Sequence, residues 1–568
     1  MKRIIFLSIS VLIVMDCCNN KKTIPSSAIN ESDSLTINID KIFKDWNSVD
    51  SPGGSIAIVK EGRVIFIKGY GSSDLEISSP ITSDTKFNLG SISKQFTGYC
   101  IAKLIYDGKL SLDDNIKKYF PEFSLNSTIR VRDLVYQKSG LRDFLGLIPL
   151  MGYSIKDYFT NNTILNILQN QKDLNFQPGE KWEYSNTNYF LLGEIVRRVT
   201  NSSLKEWAKK NIFIPLKMYN TFFVDSVETI VTNRAKSYHQ NNNGNFSNDP
   251  FLDVTVGHSG LYSTAEDMAK WLIYLRTMYM EEYPVFKLML QNDTLNSGRE
   301  LANYSFGLFK SYANTLEYWH RGSFFGYKSI IAYYPEKDYG LVILSNVQRF
   351  NRIRFEKEIT QTFFPELNSS PIKSQTVFSL EDSLKHRKVP LEPGLLKKFE
   401  GYYVVAPMEI YVITRRGNAL SLYEYTGSDT TNLVYIGKNM FRNDEGTILL
   451  SFYKDHEGSF DSLAFQSASD SLTGIRTRLL SPSRETEKVG EYYNGELDIS
   501  IKISKTTTGL AAGNRKLGIM DLIPTYKDEF RCDDDFFSYI KFSRDKNNSI
   551  NGFLLDGFSV SNIRFIKK

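Results

Sequence analysis

The sequence predicts an α+β fold: an antiparallel sheet flanked by helices with an all-helical subdomain, followed by two small all-β barrels. Three observations lead there. β-rich runs lie near the start, flanking Lys60-Glu-Gly-Arg63, and return far downstream at Ser329–Tyr334 and Tyr339–Ser345, with helical periodicity between them. Strands drawn from both ends of a segment, with helices between, pack as one sheet under helices. Beyond residue 394 the text changes to short alternating strands separated by turn signals, the pattern of small barrels. A length of 568 residues is too great for one core and calls for two to four domains.

The N-terminus reads as an export signal over 1–18. Lys2-Arg3 precedes an apolar run of twelve residues, Ile4 to Met15, too short to span a bilayer at about 20. Asp16-Cys17-Cys18 follows, and a cysteine directly after the apolar core resembles a lipoprotein cleavage site. Cys17 or Cys18 is the candidate acceptor; the pattern wants a small residue before the cysteine, which Asp16 is not, whereas with Cys18 as acceptor Cys17 fills that place. Ordinary secretion is the alternative. Either way the mature protein is expected outside the cytoplasm, in the periplasm or cell envelope, touching membrane only through the lipid. Residues 19–38, rich in Asn, Ser and Lys, read as a tether.

The main domain is placed at 39–365. Lys60-Glu-Gly-Arg63 is a hairpin turn, and an apolar helix is expected from Ser91 to about Leu110. Gly108 to Asp114 turns into a short helix, and Ser139-Gly-Leu-Arg-Asp143 is a glycine turn beside another. Helical periodicity continues over 154–215 around Pro178-Gly179. Ser263-Thr-Ala-Glu-Asp opens a further helix with a capping signature, Ser263 with Glu266 or Thr264 with Asp267. A polar connector occupies 366–394. Two barrels then follow at 395–481 and 482–568, because Phe399-Glu-Gly-Tyr-Tyr403 resembles Val489-Gly-Glu-Tyr-Tyr493 and Met440-Phe-Arg-Asn-Asp444 resembles Glu529-Phe-Arg-Cys-Asp533, an offset of about 90 residues. One larger barrel made from two half-repeats is the alternative.

Composition excludes several classes of function. Lysine and arginine exceed aspartate and glutamate by only 69 to 64 with no basic run, so nucleic acid is not an expected partner. Four cysteines, two of them adjacent, make no disulfide framework or metal-ligand spacing, and the five histidines do not pair either. No metal or cofactor is expected. The oligomeric state is open.

Ser91 and Lys94 stand three apart at the start of the first long helix, on one face. A hydroxyl among the free N–H groups of a helix start can be a nucleophile, with the lysine taking its proton. Alone the pair means little, since Ser-x-x-Lys recurs at Ser202, Ser370, Ser451, Ser538 and Ser543, and an ordinary capped helix explains such copies. Two other places carry chemistry. Tyr184 and Asn186, two apart in a loop, could relay a proton and hold a carbonyl; the plain reading is a helix start capped by Ser185 or Asn186. His320 precedes Gly322 on a strand, where glycine admits a substrate backbone and the following N–H can meet an oxyanion. A lone histidine on a strand is more often structural, and His258 in Gly257-His-Ser-Gly260 competes with it. No Gly-x-Ser-x-Gly elbow surrounds a plausible nucleophile.

Ser91-x-x-Lys94, Tyr184-x-Asn186 and His320-x-Gly322, in that order, resemble the three motifs of the serine β-lactamase and penicillin-binding protein superfamily. The class C β-lactamase-like branch, whose second motif begins with tyrosine, is the nearer match, and the tail resembles the lipocalin-like barrels often fused to such hydrolases. The resemblance covers roughly 42–350. It implies a serine hydrolase in which Ser91 forms an acyl-enzyme on a small peptide or ester substrate, Lys94 and Tyr184 share the base and acid roles, and the Ser91 and Ser323 N–H groups meet the oxyanion. Asn186 would orient the substrate amide. His320 stands where class C β-lactamases carry lysine, so peptidase, amidase or esterase action is expected ahead of efficient β-lactamase activity. Arg321 would face away by strand alternation. A penicillin-binding sensor with little turnover is the non-enzymatic alternative.

Overall fold

A computed structural model describes residues 31–368 and 394–568, apart from 242, 313–314, 407–408, 417–418, 425–429, 444–447, 455–458, 468–470, 478–485, 508, 527 and 533. The signal and lipidation readings at 1–18, with Cys17 and Cys18, and nearly all of the 366–394 connector lie outside the described residues. So does the first part of the 19–38 tether. Its remainder is not a tether but belongs to a helix, α1 (Glu31–Ile42). Ile39, one turn before Phe43, is buried with it against the sheet, which is what the polar composition of the stretch concealed.

Seven strands make the central sheet: β1 (Gly54–Lys60), β2 (Arg63–Tyr70), β3 (Tyr304–Ser305), β4 (Leu308–Tyr312), β5 (Leu316–Phe324), β6 (Tyr327–Tyr334) and β7 (Tyr339–Ser345). Their order is β3-β4-β5-β6-β7-β1-β2, and each described pairing is antiparallel. The strand that opens the domain is zipped to the strand that ends it, from Gly54 opposite Ser345 to Lys60 opposite Tyr339. Both faces are covered, which explains why β7 is buried throughout and runs apolar over 341–344 instead of alternating. Val342 and Leu344 enter the core under α2 (Ser93–Tyr106) and α5 (Ala265–Met280), while Leu341 and Ile343 enter a second core with α1 and α6 (Arg352–Phe363). Thr264, not Ser263, caps α5 by accepting from the Asp267 N–H at 3.1 Å. Two further helices matter below: α3 (Phe144–Leu150) and α4 (Asn186–Thr200). Among the described residues no helix is long and apolar enough to cross a membrane.

The tail forms two closed barrels of eight strands each rather than one large one. In each, the last strand returns to the first, Thr477 opposite Tyr402 and Lys567 opposite Tyr492. The repeat persists in the packing. Tyr403 and Tyr492 each donate to the carbonyl four residues back, at 3.0 and 2.6 Å. Phe441 meets Phe452, and Phe530 meets Phe542, each at 5.6 Å and 86°. These rings fill the barrel cores. The first barrel keeps a core to itself, whereas the core of the second is continuous with that of the sheet-and-helix domain.

Candidate active site

Ser91 sits in a tight turn, Gly90–Ile92, that leads into α2. The helix ends at Tyr106 rather than near Leu110, because Asp107 and Gly108 close its last turn by donating to Lys103 and Ile105 carbonyls. β5 crosses directly over this turn, and two glycines permit it. A β-carbon on Gly322 would sit 1.9 Å from the Leu89 carbonyl oxygen. One on Gly90, whose φ is +54°, would sit 2.8 Å from the Ser323 nitrogen. The close approach brings the Ser323 backbone beside the turn that bears Ser91.

Lys94, one turn on, is completely buried. Its Nζ lies 3.0 Å from Ser91 Oγ, 2.8 Å from Asn186 Oδ1 and 2.8 Å from the His258 carbonyl oxygen. Burial is the dominant influence on it and lowers its pKa to about 7, with the Asp143 carboxylate opposing. At neutral pH a large share of the side chain is therefore a free amine. Such an amine donates to Asn186 Oδ1 and His258 O, and keeps its lone pair for the Ser91 hydroxyl proton.

Asn186 opens α4 and is the residue that orients this amine. Its Nδ2 donates to Asp143 Oδ2 at 2.9 Å, which turns its Oδ1 toward Lys94. Its backbone N–H donates to the same oxygen at 2.8 Å. The helix start is thus capped by Asp143, neither by Ser185 nor by Asn186 itself. The other Asp143 oxygen caps α3 through the Leu145 N–H at 3.0 Å. One hydrogen of the Asn186 amide stays free for a substrate carbonyl. Gln137 supports the loop before it, accepting the Ser185 N–H at 3.0 Å from a buried position with φ +58°.

The Tyr184 ring lies 4.9 Å from Lys94 Nζ, within a cluster with Tyr304, Phe309 and His320. Burial holds its phenol well above the usual range and Tyr304 adds to this, while the Ser91 hydroxyl works the other way, so it is a protonated phenol at neutral pH. His320 is buried as well. Burial first, and Lys94 second, bring its pKa down to about 3. Its Nδ1 lies 2.7 Å from the Arg321 carbonyl oxygen, so the neutral ring carries its hydrogen on Nδ1. Arg321 faces the other way, 3.5 Å from Glu356 on α6, as strand alternation required. His258 is neutral too and serves through its carbonyl, its ring Nε2 lying 3.0 Å from Ser259 Oγ.

The structure therefore gathers Ser91, Lys94, Tyr184, Asn186, His320, Gly322 and Ser323 around one turn. Asp143 and the His258 carbonyl were not singled out by sequence. Asp143 preceding an apolar helix carried the signal of a cap, which it is, but nothing local showed the second helix it caps.

Such a site on an antiparallel sheet with a helical subdomain defines the β-lactamase class of fold. The chain belongs to the β-lactamase family, whose model, described as Beta-lactamase, matches residues 39–361. It is 30% identical over 320 residues to "Protein flp" of Staphylococcus aureus (strain N315), which covers 54% of this chain and 62% of that protein. The chain thus spans less than two thirds of the length of that relative. It is 29% identical over 346 residues to the "Teichoic acid D-alanine hydrolase" of Staphylococcus aureus (strain NCTC 8325 / PS 47), covering 60% of this chain and 81% of the other. Among solved structures, the octameric penicillin-binding protein homologue from Pyrococcus abyssi superposes with a TM-score of 0.52 at 23% identity, covering 78% of this chain and 100% of that one, a likeness of fold.

Proposed function

We propose that this protein hydrolyses amide or ester bonds through an acyl-enzyme on Ser91, with D-aminoacyl or peptidoglycan-like compounds as substrates. The observation that carries the reading is the buried Lys94 amine, its pKa lowered to about 7, 3.0 Å from Ser91 Oγ. As Oγ bonds to the substrate carbonyl carbon, its proton passes to Lys94 Nζ. The resulting ammonium has three oxygen neighbours in place, Asn186, His258 and Ser91. The Ser91 and Ser323 N–H groups meet the oxyanion; as the bond from the carbonyl carbon to the leaving group breaks, Tyr184 gives its phenol proton to that group and the Lys94 ammonium returns the serine proton to Tyr184. Water then resolves the ester on the same groups.

A neutral His320 puts no fixed charge at the place where a class C β-lactamase carries lysine, and the lysine beside the third motif is instead Lys328, whose Nζ donates to Ser323 Oγ at 2.6 Å. Replacement of the motif lysine favours substrates without a carboxylate on the leaving side, and the similarity to a protein named for D-alanine hydrolysis supports D-alanyl compounds among them. Purified protein should turn over D-alanyl esters and amides faster than nitrocefin, and Ser91→Ala should abolish both. Equal turnover by Ser91→Ala would refute the reading. We also propose export with lipid attachment at Cys17 or Cys18, on the strength of the Lys2-Arg3 and Ile4–Met15 run. Palmitate labelling lost in the Cys17→Ser/Cys18→Ser double variant is the expected result.

A further inference from the structure

The second barrel is fastened to the catalytic domain immediately behind the Lys94 network. Its last two strands, Ile550–Gly557 and Val560–Lys567, are joined by a turn that enters the catalytic domain. The Asp143 N–H donates to the Ser559 carbonyl at 3.1 Å. Arg142, its neighbour, has a side chain only 1% exposed that donates to Gln171 Oε1 of its own domain at 2.9 Å and otherwise to the barrel. Its Nε donates to Ser561 O at 3.2 Å, Nη2 to Asn562 O at 2.8 Å and Nη1 to Glu496 Oε2 at 2.5 Å. Asn175 adds bonds on either side, donating to Ser559 O and accepting from the Ser561 N–H. The fit is close: a β-carbon on Gly146 of α3 would lie 2.2 Å from the Phe558 carbonyl oxygen.

A continuous chain of bonds runs from this turn to the nucleophile. Ser559 O holds the Asp143 backbone, Asp143 Oδ2 holds the Asn186 amide, Asn186 Oδ1 holds Lys94 Nζ, and Lys94 Nζ faces Ser91 Oγ. We propose that Asp143 is a positioning residue for the reaction and that the second barrel, through Arg142, fixes Asp143 in place. The barrel then acts as a support of the active site rather than as a ligand carrier, consistent with an interior filled by Tyr492, Phe530, Phe542 and Phe553. The inference rests on the proposed role of Lys94 and Ser91.

Asp143 also sets the charge around Lys94. The ionisable groups that face the amine are Asp143, Tyr184, His258 and His320, and burial keeps the last three uncharged at neutral pH. Burial pushes the Asp143 carboxyl above its usual range, the three N–H bonds it accepts and Lys94 pull it back, and as a carboxylate it favours the ammonium form of Lys94. Asp143→Asn removes the charge with little change of shape. It should lower kcat by about 10- to 100-fold with KM little changed, the scale of a misplaced catalytic group. It should also move the acid limb of the kcat profile to lower pH, because Lys94 loses its favouring charge. A purely structural defect would not shift that limb.

Glu496→Ala acts from the barrel side, through Arg142. It should lower kcat with KM held, and combined with Asp143→Asn it should add less than its own separate effect. Thermal melts of each variant show whether it is folded. Unchanged kcat and limb in folded Asp143→Asn would overturn the proposal, as would effects of the two variants that multiply. Should Asp143→Asn not fold, wild-type kcat in Glu496→Ala overturns it alone. Fluorophosphonate labelling of Ser91 in wild type separates the two levels: without labelling or turnover the serine reading itself falls, and with them only the positioning role is at stake.

Discussion

Lys94 is a buried cation-forming group with three polar neighbours, and in the proposed reaction its protonation governs what Ser91 can do. Because the amine and not the ammonium takes the proton, activity should fall as pH drops through about 7, with half the maximal kcat/KM near that value. His320 is already neutral above about 3, so His320→Gln should leave the limb where it is. Lys94→Arg, permanently charged, should lose about 10²- to 10⁴-fold in kcat. A pH series on the three proteins checks all of this. The residues that gather around Ser91 were legible because their side-chain types and order follow the family's three motifs. Asp143 was not, since its partner Asn186 lies 43 positions further on and the same local text describes any helix cap. The choice between Lys94 and Tyr184 as base was equally hidden, because it depends on burial rather than on identity.

At the scale of elements, the contact of β5 with the turn before α2 decides whether the site exists. Gly322→Ala would drive a methyl group against the Leu89 carbonyl, and overpacking of this kind costs about 1–3 kcal/mol. A lowered melting temperature and loss of Ser91 labelling are the expected results, and wild-type behaviour would mean β5 does not lie this close. The strands were readable from sequence because β1 and β7 hold the apolar runs 56–59 and 341–344, as strands covered on both faces do. α1 was not readable. Its residues are polar enough to pass for a tether, and it is a helix because Ile39 and Phe43 find a place against the sheet and α6.

Over the whole molecule, the packing divides the chain differently from its sequence repeat. The two barrels are copies, yet only the second shares a core with the catalytic domain. The tandem repeat was visible in matched Tyr-Tyr and Phe-Arg pairs; the unequal docking was not, because it depends on Arg142 and Asn175 far upstream. Phe553→Ala, in the second barrel, should cost about 3–5 kcal/mol and lower the unfolding transition of the catalytic domain with it. Phe441→Ala, in the first, should lower a transition of that barrel alone. Calorimetry with activity as a second readout distinguishes the two. The most direct test of the whole reading is chemical: the mature protein is treated with a fluorophosphonate and the modified peptide is mapped. One adduct on Ser91, absent from Ser91→Ala and slowed in Lys94→Arg, is the expected result; an unmodified Ser91, or a label carried elsewhere, would contradict it.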